Sequence, residues 1–328
     1  MWNIGQIKIE GKVVLGPMAG ITTLAYRNFM KDFGVAVSYT EMVSDCGLIY
    51  KNEMTYTYLA MSEKDHPVGL QLFGSKKETL VKAVQLVQDI GCTYDFIDIN
   101  FGCPMPKVTR TGAGSSWLKR VDELQQAVKA VVEISKKPVT AKIRIGWDSS
   151  SINFLEVIHA LEDAGVSMIC VHARTTSQIY SGTARYDLIG DLRTKMKVPL
   201  VISGDIFTLD DAIKAIEITK ADAVMVARGS LGHPKLVSQI DTYFRTGERL
   251  ANATLEEQLA YLTTFGESLV KLKGEKLAIR ELRGIGVHFL TGFPGMKRFK
   301  AEMSGTMETL EDLYRIVREI SETVLTTK

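Results

Sequence analysis

Asp98–Ile99–Asn100–Phe101–Gly102–Cys103–Pro104 is the stretch on which the fold turns. Ile97, Ile99 and Phe101 alternate with Asp98, Asn100 and Gly102, so the run is a strand with one apolar and one polar face. It ends in a loop of Gly, Pro and basic residues that continues through Lys107–Val108 to Gly112–Ala113–Gly114–Ser115. A lone thiol, Cys103, therefore sits at the C-terminal end of a strand, which is where barrel enzymes build their sites. A free Cys taken without context is more often a small packing residue in a turn. The rest of the chain supplies the context.

Short apolar runs alternate with helical segments from residue 13 to about 246. Eight strands are expected, over Val13–Met18, Ala36–Val43, Val68–Phe73, Phe96–Phe101, Val139–Ile145, Met168–Arg174, Leu200–Ser203 and Ala223–Ala227. Between them, Lys77–Ile90, Ser116–Ser135, Asn153–Ala164 and Leu209–Thr219 repeat apolar residues every three or four positions, as amphipathic helices do. Eight βα repeats predict an α/β protein with a (β/α)8 TIM barrel. An open dinucleotide-binding sheet would carry G-x-G-x-x-G after its first strand; here that turn reads Gly16–Pro17–Met18–Ala19–Gly20.

Composition narrows the class. The 328 residues are 45% hydrophobic and 24% charged, ordinary values for a globular protein. No run of 18 apolar residues is present, and Met1–Trp2–Asn3–Ile4–Gly5 lacks a basic start followed by an apolar core, so neither membrane span nor signal peptide is expected. Cys46, Cys92, Cys103 and Cys170 form no C-x-x-C pair, which argues against a metal site or disulfide framework and for a cytoplasmic protein. A monomer is expected. The net charge of +2 announces no nucleic-acid partner; such a partner needs a local patch.

Two local patterns supply ligand chemistry. Strand alternation turns Gln71, Asp98, Asn100, Lys142, Arg144, His172 and Ser203 inward, toward one barrel mouth. Buried cations need partners, and those could be Asp98 and Glu41 in an internal ion-pair network, but so many converging polar groups favour a ligand site. After strands 7 and 8 come Ser203–Gly204–Asp205 and Ala227–Arg228–Gly229–Ser230, the usual phosphate position of this barrel type. Past about Leu255 the strand pattern gives way to helices, the last over Leu310–Val324, which divides the chain into a barrel, 1–247, and a helical domain, 248–328. Within that tail Lys271, Lys273, Lys276, Arg280, Arg283, Lys297, Arg298 and Lys300 outnumber Glu275 and Glu281, which suits either a solvated face or a nucleic-acid backbone.

These residues resemble the tRNA-dihydrouridine synthases, and most closely their bacterial B-type branch. The likeness rests on Gly16–Pro17–Met18–Ala19–Gly20–Ile21–Thr22, Thr40–Glu41–Met42–Val43, Gln71–Leu72–Phe73–Gly74, Ile99–Pro104 with Lys107 and Gly112–Ser115, His172–Ala173–Arg174–Thr175 with Gln178, Tyr180, Ser181 and Gly182, Gly204–Asp205–Ile206 and Ala227–Arg228–Gly229. The tail matches mainly through Arg280, Arg283, Gly284, Gly292, Pro294 and Gly295. The resemblance implies an FMN-dependent enzyme, reduced by NADPH, that reduces the C5=C6 bond of uridines in tRNA. It implies that Pro17, Met18, Ala19, Gln71, Lys142, His172, Ser203, Gly204, Asp205, Ala227 and Arg228 hold FMN, and that Cys103 donates the proton. Substrate contacts are expected from Asn100, Lys107, Arg144 and Arg174 at the mouth and from Lys297, Arg298 and Lys300 on the tail. Ser203 stands where the family commonly has Asn, and Thr23 and Arg185 where it commonly has acidic residues.

The chemistry agrees with this expectation. The uracil C5=C6 bond is conjugated to the C4 carbonyl, so hydride adds at C6 and C5 needs a proton. An ordinary thiol, with pKa about 8.5, is mostly protonated at neutral pH and can give one. Lys107, if close, would favour the thiolate after transfer. An FMN barrel acting on a free pyrimidine such as dihydroorotate is the alternative; a helical tail with a basic run has no place in it.

Overall fold

The computed structural model describes residues 1–325. Eight parallel positions close a barrel. Its strands are β1 (Val13–Leu15), β2 (Ser38–Tyr39), β3 (Val68–Phe73), β4 (Phe96–Phe101), β5 (Val139–Arg144), β6 (Ile169–His172), β7 (Leu200–Ser203) and β8 (Ala223–Val226). Their spatial order is β1-β8-β7-β6-β5-β4-β3-β2, and a single parallel bridge, Val14 to Val37, joins β1 back to β2. The expected strand over Ala36–Val43 is interrupted: pairing stops after Tyr39 and resumes at Val43–Ser44. The Thr40 hydroxyl accepts the Gln71 N–H at 3.1 Å and donates to the Glu41 carbonyl at 2.8 Å, so a side chain takes the place of the ladder there.

The strands' two faces have different fates. Ile97, Ile99, Phe101, Ile143, Val171, Ile202 and Val226 point outward into the main core with the helices; the Phe101 and Trp117 rings meet edge-on at 5.7 Å. Inside, Val14, Val37, Tyr39, Phe96, Cys170, Val201 and Met225 make a separate apolar cluster at the N-terminal half of the barrel. That end is sealed by a hairpin absent from the sequence expectation. Trp2–Ile4 pairs antiparallel with Ile7–Ile9 through a turn at Gly5, and Trp2, Ile4 and Ile9 join the inner cluster. Above it, Gln71, Asp98, Asn100, His172 and Ser203 are buried polar residues.

The barrel's last helix, Lys235–Thr246, stops at Gly247 with φ +81°, and the next begins at Leu255. Helices Leu255–Lys273, Glu275–Ile285, Lys297–Gly305 and Leu310–Ile320 follow, then a turn over Ser321–Leu325. The final turn of the expected Leu310–Val324 helix is thus wound differently, and residues 326–328 lie outside the described residues. The tail docks on the helix Leu24–Lys31: Phe265 packs against Tyr26 and Phe29 with centroids at 5.8 and 5.2 Å, and Tyr261 against Phe33 at 5.0 Å. Gln258 Nε2 donates to the carbonyls of Gly232 and Phe289, tying barrel to tail through a buried amide. No helix among the described residues is long and apolar enough to cross a membrane.

Candidate active site at the barrel mouth

The cysteine loop is held from below and from the side. Asn100, the last inward residue of β4, accepts the backbone N–H groups of Gly102 and Cys103 at 3.1 and 2.8 Å. Its amide donates to Gln71 Oε1 at 2.8 Å, and Gln71 Nε2 donates to Asp98 Oδ2 at 2.7 Å. Thr140 donates to the other Asp98 oxygen at 2.6 Å. Burial outweighs these bonds and lifts the Asp98 carboxyl to about 6. From the side, Ser115 Oγ and N–H both donate to the Cys103 carbonyl. Gly114 makes this possible: its φ is +57°, and a Cβ there would lie 2.7 Å from that carbonyl oxygen.

Cys103 is 7% exposed. Burial pushes its thiol up, and the Met105 N–H, Arg144 and Lys142 only partly oppose that. The thiol is therefore protonated at neutral pH. The cations that act on it are Arg144 and Lys142; Lys107 is exposed on the turn Pro106–Thr109. Asn100 serves first as the brace of the loop. Arg144 donates from Nε to the Gly102 carbonyl at 2.9 Å and from Nη1 to the Thr175 carbonyl at 2.7 Å, fixing backbone on both sides of the thiol.

Beside Cys103 opens a cleft in two connected parts, about 570 and about 900 Å³, which share Lys142, His172, Tyr180 and Arg228. Pro17, Met18 and Ala19 line it from the loop after β1. Ser203, Gly204, Asp205, Ala227 and Arg228 line the deeper part, so those expected residues converge there with Lys142 and His172. Gln71 lies under the floor and reaches the cleft through Asn100. Among the described residues Lys142 makes no ion pair: Asp98 is taken by Gln71 and Thr140, and Glu41 accepts the Gly20 N–H at 2.6 Å. An internal Lys142–Asp98–Glu41 network is thus not what the barrel contains. Burial depresses Lys142.

His172 is nearly buried and its Nε2 has no partner. Burial first, then the nearby Lys142 and arginines, hold its pKa well below the usual histidine value, so the ring is neutral. Gly204, with φ +120°, lets backbone pass beside this ring; a Cβ would sit 3.1 Å from His172 Cδ2. Gly229 interlocks with the neighbouring loop, since a Cβ there would lie 1.9 Å from the Ile206 carbonyl.

Arg174, expected to reach substrate, is 1% exposed and donates from Nε to the Ser181 carbonyl and from Nη2 to the Gly182 carbonyl and to Asp205 Oδ2, the last at 2.6 Å, while its Nη1 is buried without a partner. Nε and Nη2 thereby join the loop after β6 to the loop after β7. Asp205 in turn accepts the Ala184 N–H and stands 3.7 Å from Arg228, so it is a strut of the rim. The residue that sequence reasoning left without a role is Tyr180. Its ring lies 4.5 Å from the Arg228 guanidinium and 5.7 Å from that of Arg144, across the cleft opening. On the tail, Lys297 and Arg298 are exposed, with Arg298 against the Phe299 ring, and Lys300 donates to Thr291. Lys273 and Arg283 are engaged within the tail, with Glu281 and the Met307 carbonyl. No group of three His, Cys, Asp or Glu suited to a metal occurs among the described residues.

Comparison with known proteins agrees with this geometry. The dihydrouridine synthase (Dus) family model matches residues 14–325. A probable tRNA-dihydrouridine synthase of Rickettsia conorii is 33% identical over 323 residues, covering 98% of this chain and 96% of that one. The tRNA-dihydrouridine synthase B of Pseudomonas aeruginosa is 32% identical over 307 residues, covering 94% and 92%. Among solved structures, histamine dehydrogenase from Rhizobium sp. 4-9 superposes with a TM-score of 0.55 at 13% identity, over 81% of this chain and 50% of that one. The amine oxidase HisD from Pseudomonas geniculata N1 gives 0.57 at 14%, over 79% and 51%. This chain spans about half the length of those two, and the likeness is one of fold. The family match covers both the barrel and the tail, and the chain is an enzyme of the dihydrouridine synthase family.

Proposed function

We propose that the protein reduces the C5=C6 bond of particular uridines in tRNA to 5,6-dihydrouridine, with FMN at the barrel mouth and NADPH as reductant. The observation that carries this reading is the protonated Cys103 thiol on a cleft whose deeper part joins a partnerless His172 Nε2, Lys142, Arg228 and two glycine loops. The family and the relatives named for tRNA support it.

The residues suit FMN. The orphaned His172 nitrogen, the Arg228 charge and the backbone at Gly204 and Gly229 fit a phosphate. Pro17, Met18, Ala19 and Lys142 would border the ring system, with Lys142 set to favour added negative charge. A flavin held by these residues would supply the hydride for C6 of the base, with NADPH as its reductant. What the chain itself does is hold and move a proton. Asn100 and Ser115 fix the Cys103 backbone, burial keeps its sulfur protonated, and the thiol gives that proton to C5. The thiolate so formed is stabilised by Arg144 and Lys142, the cations that act on it. The target base must leave its stack to reach Cys103, and Tyr180 at the opening offers it an aromatic face.

The test is a pair of measurements. Protein denatured after purification releases FMN. Cys103→Ala still binds that flavin and is still bleached by NADPH, but forms dihydrouridine in unmodified tRNA about 10²–10⁴-fold more slowly. Release of FAD or of no flavin, or normal dihydrouridine formation by the variant, refutes the reading.

A further inference from the structure

A second pocket, about 1010 Å³ and open to solvent, lies between the barrel mouth and the helical tail. The loops that border the Cys103 cleft also form its wall. Ala19 and Met42 face the cleft, while their neighbours Gly20 and Glu41 line this pocket. The tail contributes Leu272, Lys273 and Glu281. Two polar atoms on this pocket's lining residues are buried and have no partner. One is Thr23 Oγ1, on a residue only 8% exposed. Thr23 is the N-cap of helix Leu24–Lys31, where a hydroxyl ordinarily accepts a backbone N–H of the first turn, and here it makes no such bond. The other is Glu281 Oε2, whose companion oxygen takes Lys273 at 2.6 Å.

The charge balance decides what fits. Arg27 at the pocket's base is committed to Asp65 and to backbone carbonyls. Lys273 is committed to Glu281, which leaves Glu41 as surplus negative charge. A phosphate is disfavoured there. A group that brings N–H donors, and a flat apolar face to lie against Tyr58 and the exposed Leu272, is favoured.

We propose that this pocket takes a second nucleobase of the RNA substrate, one carrying an exocyclic amino group and close in sequence to the target uridine, with Glu281 and Thr23 reading its edge and Tyr58 its face. The inference rests on the tRNA reading above. It makes the junction of barrel and tail the place where the surroundings of the target uridine are checked.

The experiment uses the full-length holoenzyme and unmodified tRNA transcripts in which each loop nucleotide flanking the target is made abasic in turn. Dihydrouridine formation by the wild type on intact transcript reports the underlying activity; if none forms on any tRNA, that activity and this inference both fall. With activity present, one abasic position lowers wild-type kcat/KM about tenfold, the size of one lost base contact. Glu281→Gln lowers it similarly on intact transcript, through KM, and removes the penalty of that abasic position. NADPH oxidation and flavin content stay unchanged. Lys273→Met, which breaks the same ion pair but keeps the carboxylate, remains near wild type. If Lys273→Met loses as much as Glu281→Gln, or if no abasic position couples to Glu281, the pocket is only a packing contact between barrel and tail and the proposal is wrong.

Discussion

The two ends of the barrel interior hold one cysteine each, and they are opposites. Cys170 sits in the lower cluster with Phe96, Val201 and Met225, fully buried, its thiol pushed up to about 12 by burial. Cys103 sits at the lip of the upper tier, among Asn100, Lys142 and Arg144. Both thiols are protonated at neutral pH. Lys142 acts on both thiols, but only Cys103 has Arg144 as well and open space in front of it. The lower end is apolar and closed by a hairpin; the upper end buries polar groups and opens on the cleft where the chemistry is proposed.

The largest expected effect tests that division directly. Cys103→Ala costs about 10²–10⁴-fold in dihydrouridine formation, whereas Cys170→Ala leaves the rate intact and lowers stability by about 1 kcal/mol, the loss of one small buried group. Single-turnover assays on tRNA and denaturant unfolding separate the two; a rate loss in Cys170→Ala as deep as in Cys103→Ala would erase the contrast.

Next comes the lower end itself. Phe96 is fully buried, edge-on to Tyr39 with centroids at 5.4 Å. Phe96→Ala is expected to cost about 3–5 kcal/mol, seen as a lower urea midpoint, while the fraction that stays folded keeps its flavin.

A smaller effect is expected from the tail. Replacing Lys297, Arg298 and Lys300 with neutral residues flattens the salt dependence of tRNA binding by roughly one unit of log–log slope per lost phosphate contact. Filter binding at several salt concentrations measures it. An unchanged slope would mean that these exposed charges form only a solvated face.

The smallest effect is a drift of stability with pH. The Asp98 carboxyl titrates at about 6 in the fold, above the ordinary carboxylate value, so the native state holds its proton more tightly than the unfolded chain does. That contribution is complete below about pH 4 and is lost as pH rises through 6. His172 runs the other way: its depressed pKa gives stability that is present above about pH 6.5 and lost as pH falls. Asp98→Asn removes the first contribution only, so the Tm of this variant should gain on the wild type between pH 4 and 6. A constant Tm difference across that range would show that Asp98 does not titrate there.

The barrel was legible because its signals are local. The alternation in Phe96–Phe101 and the helical spacing in Leu209–Thr219 each mark the observed element residue for residue. The strand over Ala36–Val43 was drawn too long because its apolar pattern is continuous, and the break comes from a Thr40 bond to Gln71, 31 residues away. The hairpin at Trp2–Ile9 escaped notice because each arm is three residues, too short for a period to show, and its worth lies wholly in plugging a barrel not yet formed.

The site divides in the same way. From sequence alone came the placement of Cys103 at a strand end, the inward turn of Lys142 and His172, and the glycine loops after β7 and β8, since alternation and chain order set these. Tertiary structure alone decided how the charges are used. That Arg174 donates to Asp205 and that Asp98 takes Gln71 rather than Lys142 depend on contacts across the barrel. A buried polar group gains by pairing because a partner repays its desolvation, and barrel closure determines which partners are within reach.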